Sequence, residues 1–187
     1  DHKKFGLLTF PQIIAQSSNV GTIKIAQKLG QKPLYRFSRD FGFGTLTGIR
    51  FPGETKGTLR QTKDWSEISL AEVSIGYEVG VTALQMASAY GAIANGGFLL
   101  KPRLVKQILA QNGNVVYAEK PEVIRKVADP EIMDTIKDML VEVVKTGTGT
   151  KAHIKGWSVA GKTGTAHKFM DGSYSNKYIS NFAGFFP

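Results

Sequence analysis

The chain has 187 residues, 42% of them hydrophobic and 21% charged, and a formal net charge of +9. That length supports one domain with its own hydrophobic core; no apolar run is long enough to span a bilayer, and no signal-peptide pattern opens the sequence. Cysteine is absent, which excludes disulfides, thiolate nucleophiles and Cys-based zinc sites, and His2, His153 and His167 lack the spacing of a metal motif, so no metal site is expected.

Thr9 is placed to cap a helix that holds Pro11 in its first turn and continues through Ile13, Ile14 and Ala15. Ser17-Ser18-Asn19 breaks that run, because such side chains compete for backbone hydrogen bonds. A second helix is predicted over 21–29, ended by Gly30. Leu34, Phe37 and Phe41 then recur at helical spacing after Pro33. Residues 42–63, rich in Gly and Thr, read as a surface loop longer than a plain connection needs. Residues 65–73 read as a short helix. Thr82 caps a helix over 83–94 that is apolar nearly all round and ends at Asn95-Gly96-Gly97, so it belongs inside the domain.

Strands over 98–109 and 115–117 flank Asn112-Gly113, a hairpin signal. Asp129-Pro130-Glu131 opens a helix with a capping residue, a first-position proline and an acid in the first turn. Its predicted buried stripe is Ile132, Ile136, Leu140, Val143 and Val144. Residues 146–150 form a Gly/Thr loop. Residues 156–168 and 177–186 read as antiparallel strands turning at Asp171-Gly172. Phe182, Phe185 and Phe186 would want neighbours that are not here, which reads as an unfinished sheet. The positive charge collects in residues 3–39 and from Lys145 onward, where Lys151, Lys155, Lys162, Lys168 and Lys177 face a lone Asp171. Such a field favours carboxylate substrates, cell-wall polymer, lipid headgroups or nucleic acid, or is a solvated basic surface.

Two segments could carry chemistry. Residues 156–163 match the phosphate-loop pattern GxxxxGK[ST] letter for letter. A phosphate loop needs a helix starting at its lysine. Here Trp157-Ser158-Val159-Ala160 suits a strand, and Thr163-Gly164-Thr165 is poor material for a helix start. Read instead as a strand, Lys162 and Thr163 point to opposite faces, so both serve one ligand only at an exposed or strongly twisted edge. Gly164 has no Cβ and lets a ligand approach the backbone. An ammonium, two hydroxyls and edge N–H groups together suit an extended peptide ending in a carboxylate; the same residues would also serve a solvated edge strand with a protective lysine. Ser17 and Asn19, two apart on a turn between helices, could both project into a cleft or simply break a helix.

Together these segments resemble the penicillin-binding proteins and class A β-lactamases, in which an S-x-N triplet and a K-T-G triplet accompany an S-x-x-K motif. Ser17-Ser18-Asn19-Val20-Gly21 is similar to the second motif and Lys162-Thr163-Gly164-Thr165-Ala166 to the third. Between them, Phe51-Pro52-Gly53-Glu54, Ser74-Ile75-Gly76-Tyr77, residues 81–86 and residues 90–97 resemble class B, division-type segments in the expected order. Asn176-Lys177-Tyr178 fits the approach to the last strand. The resemblance implies an α/β (α+β) chain of β-lactamase/transpeptidase-like fold, antiparallel strands plus a helical subdomain. It implies that residues 1–187 are part of one transpeptidase domain, without its S-x-x-K portion and its final strand and helix.

The implied activity is peptidoglycan D,D-transpeptidation by an acylated serine, with D-Ala-D-Ala stem peptides as substrate and β-lactams as inhibitors. Relatives with a D,D-carboxypeptidase, β-lactamase or β-lactam-sensor role remain alternatives, and a basic nucleotide- or nucleic-acid-binding module is a more distant one. Carried over by position, Ser17 would relay a proton near the leaving nitrogen. Asn19 would hold the acyl-side amide, and Lys162 would support proton transfer at Ser17. Thr163 and Thr165 would bind the substrate carboxylate, with Gly164 between them, and the Thr165 N–H would form half of an oxyanion hole. No serine here is followed three positions later by lysine, so the nucleophile is expected outside this chain and the chain alone is expected to be inactive. No cofactor and no nucleic-acid partner are expected. The resemblance also suggests a membrane glycan polymerase and division proteins as partners. It further suggests an extracytoplasmic, periplasmic location anchored by an upstream helix.

Overall fold

The computed structural model describes residues 4–170 and 172–186. Helix α1 (Phe10–Gln16) begins at Thr9, whose N–H donates to Gln12 Oε1 at 2.9 Å. Helix α2 (Asn19–Leu29) starts earlier than the sequence suggests, because Ser18 caps it: its side chain accepts from the Gly21 N–H at 3.2 Å. Gly30, at φ 88°, separates α2 from α3 (Gln31–Asp40), which carries Pro33 in its first turn. The long loop from residue 42 contains a two-residue strand, β1 (Thr58–Leu59), paired antiparallel with β2 (Val79–Gly80).

The helix expected over 65–73 is shorter and later: α4 spans Ser69–Ser74. Residues before it are held in other geometry. The Trp65 indole N–H donates to the Arg60 carbonyl at 3.0 Å, and Ser69 Oγ, fully buried, accepts from the Ser66 N–H at 2.9 Å. Helix α5 (Ala83–Ala94) begins in a capping box, Thr82 bonding the Gln85 N–H while Gln85 Oε1 accepts from the Thr82 N–H.

The segment expected as one strand over 98–109 divides into β3 (Phe98–Leu100) and β4 (Gln107–Leu109). Strand β4 forms the anticipated hairpin with β5 (Val115–Ala118), whereas β3 pairs with β6 (Val123–Lys126). Helix α6 (Pro130–Lys145) buries Met133, Leu140, Val143 and Val144. Ile132, expected inward, is 52% exposed, and Met133 takes its place at 0%. The stripe therefore enters one residue later, at Met133. Each fully buried side chain of this size stabilises by about 1.5–3 kcal/mol. Strands β7 (Ala160–Met170) and β8 (Ser173–Phe185) form the longest ladder, Lys162 opposite Ala183 and Thr163 opposite Phe182. Their turn is described at Gly172; Asp171 lies outside the described residues. Helix α6 packs on β7 and on α1, and α5 packs on α6 and β8. This α+β arrangement brings the end of α1 to the side of β7. Among the described residues, no helix is long and apolar enough to cross a membrane.

Candidate active site

The α1–α2 junction presents Ser17 by means of an unusual backbone. Ser17 sits in the left-handed region at φ 54°, ψ 45°, its N–H bonded to the Ile14 carbonyl at 3.2 Å. An L-residue there costs on the order of 1–2 kcal/mol, and among the described non-glycine residues Glu78 alone shares a positive φ. The following Ser18 N–H closes on the Ile13 carbonyl at 3.0 Å. The middle serine is structural: Ser18 is 3% exposed and caps α2. Ser17 and Asn19 flank it on the exposed side.

Strand alternation puts Thr163 and Thr165 on one face of β7 and Lys162 and Gly164 on the other. Thr163 and Thr165 line an open cleft of about 590 Å³ together with Ser17 and Asn19. Lys162 joins them by length. Its ammonium donates to Ser17 Oγ at 2.8 Å and to the Thr163 carbonyl at 2.8 Å, so two motifs 145 residues apart in sequence are in direct contact. Burial lowers the Lys162 pKa from its ordinary value of 10.5, since desolvation disfavours the charged form.

Gly164 also has a close neighbour within the protein. A Cβ there would stand 2.5 Å from Asn181 Oδ1, the residue it faces across the ladder. The missing side chain leaves room for the Asn181 amide. No helix follows Lys162; residues 160–170 are strand. The phosphate-loop reading fails on that ground, because its anion site requires a helix N-terminus.

The sequence reading missed Thr148. Its Oγ1 lies 2.7 Å from Thr163 Oγ1, and its N–H donates to the Ala15 carbonyl at 3.1 Å. The 146–150 loop thus ties the helix that ends at Ser17 to the strand that carries Lys162. Gly147 permits this, since a Cβ there would come within 2.2 Å of the Ala15 carbonyl oxygen. Only a Gly/Thr composition marked the loop in sequence.

Tyr77, His167 and Tyr178 form the far wall of the same cleft. The His167 and Tyr178 rings lie 4.5 Å apart between centroids. His167 Nδ1 is 2.9 Å from the Ser175 carbonyl. A carbonyl only accepts, so Nδ1 carries the proton. Tyr77 and Tyr178 fell within segments that the sequence had singled out by resemblance; His167 carried no such signal.

Residues 1–187 match the penicillin binding protein transpeptidase domain family. The chain is 38% identical over 185 residues to penicillin-binding protein PbpB of Mycolicibacterium smegmatis, covering 94% of this chain and 28% of that protein. It is 38% identical over 177 residues to the probable peptidoglycan D,D-transpeptidase PenA of Neisseria meningitidis, covering 94% of this chain and 29% of the relative. Among solved structures, penicillin binding protein 3 of Mycobacterium tuberculosis complexed with aztreonam superposes with a TM-score of 0.90 at 35% identity. That match covers 98% of this chain and 44% of the other. The chain therefore spans less than a third of the length of these two curated relatives.

Proposed function

The chain belongs to the penicillin-binding protein transpeptidase domain family, and from that premise we propose that the whole protein is a serine D,D-transpeptidase cross-linking peptidoglycan stem peptides in septal wall synthesis. The observation that carries this reading is the 2.8 Å bond from the Lys162 ammonium to Ser17 Oγ, at the rim of a cleft shared with Asn19, Thr163 and Thr165. Convergence of a hydroxyl, a desolvated amine and anion-binding hydroxyls is what acyl transfer from a peptide with a terminal carboxylate requires.

The nucleophilic serine comes from outside these 187 residues, none of whose serines carries a lysine three positions on. Its Oγ attacks the carbonyl carbon of the penultimate D-alanine, the C–N bond breaks, and D-alanine leaves with a proton delivered through Ser17. A stem-peptide amine then attacks the ester, an amide forms, and the serine regains its proton. Lys162 sustains that relay. Its depressed pKa eases proton exchange with the hydroxyl it touches. The Asn19 amide holds the acyl-side peptide. The Thr163 and Thr165 hydroxyls bind the terminal carboxylate, and the Thr165 N–H donates to the developing oxyanion. Gly164 acts indirectly, by letting β7 lie close to Asn181. β-Lactams acylate the whole protein at the same serine. The protein works on the periplasmic side of the membrane, held by a helix upstream of this domain, beside a glycan polymerase and division proteins. The 187-residue chain alone neither acylates nor turns over.

Fluorescent penicillin labelling tests the assignment. In the whole protein, Lys162→Ala abolishes labelling while circular dichroism is unchanged; normal labelling of the folded variant would overturn it. Mass spectrometry of the 187-residue chain after incubation with penicillin shows no adduct, and a stoichiometric adduct would place the nucleophile within it.

A further inference from the structure

Away from the cleft, the 49–55 loop and the β4–β5 hairpin enclose a second concave surface. One cavity of about 350 Å³ is lined by Phe51, Leu84 and Leu104. A neighbouring cavity of about 180 Å³ lies among Arg50, Leu104, Ile108 and Tyr117. Leu104 belongs to both walls, so the two form one groove. Its apolar lining is solvent-facing: Phe51 is 63% exposed, Leu104 64% and Ile108 52%. Every residue of β4 and β5 is exposed. Among the described residues these strands pair only with each other, which leaves both hairpin edges open. An isolated two-stranded hairpin with apolar residues on both faces is marginal in water and marks an interaction surface.

The charges around the groove say what fits it. Residues 98–126 hold six cations against two carboxylates, Glu119 and Glu122. Both carboxylates already face cations, Glu119 toward Arg50 at 3.9 Å and Glu122 toward Lys101 at 3.1 Å. Lys106 and Lys120 are exposed and, among the described residues, have no ion pair. The Glu119 N–H bonds the Lys106 carbonyl at 3.0 Å, so both lysines stand at the base of the hairpin. The tip, Gln111-Asn112-Gly113-Asn114, is polar and uncharged, the wrong end to enter a lipid surface. A second copy would bring another net charge of +9 against the first.

We infer that this groove docks an extended acidic–apolar segment of another protein. The segment adds as a strand along the hairpin edge, its apolar anchor in the Phe51–Leu104 cavity and its carboxylates against Lys106 and Lys120. Main-chain pairing supplies affinity, and the cavity and the cations supply selectivity.

A fluorescein-labelled synthetic peptide of alternating leucine and glutamate is the probe, titrated into the full chain and read by fluorescence anisotropy. Saturable binding is expected, weakened about tenfold or more by Leu104→Asp. That side chain is exposed, so folding, checked by circular dichroism, is retained. The double variant Lys106→Glu/Lys120→Glu loses the glutamate peptide and gains a leucine–lysine one. Four results overturn the proposal: equal binding of the leucine–lysine peptide to the unaltered chain; indifference to Leu104→Asp; binding to phosphatidylglycerol vesicles but not to the peptide; or a dimer in sedimentation that Leu104→Asp dissociates.

Discussion

Replacing Gly147 by alanine tests whether the 146–150 loop couples the two halves of the cleft. The new methyl would lie 2.2 Å from the Ala15 carbonyl oxygen and 2.9 Å from the Val143 carbonyl oxygen. Ordinary carbon–oxygen contact is about 3.3–3.6 Å, so the loop must retreat from α1 by about 1 Å. The retreat breaks the bond from the Thr148 N–H to Ala15 and strains that from the Gly147 N–H to Val143, each 3.1 Å. Overpacking costs about 1–3 kcal/mol and each lost bond about 1 kcal/mol. The expected destabilisation is therefore about 2–4 kcal/mol, read from urea unfolding of the full chain. The shift also draws Thr148 away from Thr163 and spreads Ser17 from Lys162. A displacement of that size lowers acylation roughly a hundredfold, read by stopped-flow labelling of the whole protein with fluorescent penicillin. Unchanged stability together with an unchanged acylation rate would refute the coupling.

Thr148→Val, which keeps shape and removes the hydroxyl partner of Thr163, slows acylation of the whole protein about tenfold, and Thr148→Ser restores it; equal rates for the two variants would count against a hydroxyl role. Gln85→Leu destabilises the full chain by about 2–5 kcal/mol. Gln85 is 1% exposed, and its amide donates to the Thr45 and Lys56 carbonyls at 2.7 and 2.9 Å, acceptors that lose this partner in the variant. Hydrogen exchange then rises in residues 42–57, and protection equal to that of the parent chain would contradict it. Hydrogen bonds from Thr47 hold the Glu54 carboxyl below its ordinary value of 4.5. A group whose pKa falls on folding contributes stability above its unfolded pKa and loses it as pH drops through the folded one. The Thr47 and Gly48 amides therefore keep their exchange protection through the ordinary carboxylate range and lose it only as pH falls below that range, and Glu54→Gln removes that acid step; an acid step that survives the variant refutes the assignment.

What was legible in the sequence was whatever local chemistry encodes. Thr9 and Thr82 mark helix starts because capping acts within one turn, whereas Asp129 stands at the start of α6 without a side-chain cap, its carboxylate accepting from the Lys126 ammonium at 2.6 Å instead. Asn112-Gly113 marks its hairpin because Gly113 takes φ 82°, a conformation few other residues accept. Ser17, Asn19 and Lys162 emerged from motif spacing, and the contact between Ser17 and Lys162 followed from their resemblance, not from any local code. The rest depended on distant partners. The 65–73 helix was cut short by Trp65 reaching back to Arg60. Gln85 looked like one polar residue in an apolar helix, yet its amide meets a loop some forty residues away. Thr148 had no pattern of its own, because its role is set by Ala15 and Thr163 together.

The ammonium of Lys162 has three hydrogens on a tetrahedral nitrogen, and two are committed, to Ser17 Oγ and to the Thr163 carbonyl. Fixing two vertices of a tetrahedron fixes the third. The remaining N–H is therefore aimed, and its bearing is set jointly by a helix end and a strand backbone. Lysine is normally a diffuse point of charge that swivels to meet whatever arrives. Here it behaves as a compass needle already set, so an incoming group must approach along one heading to engage it.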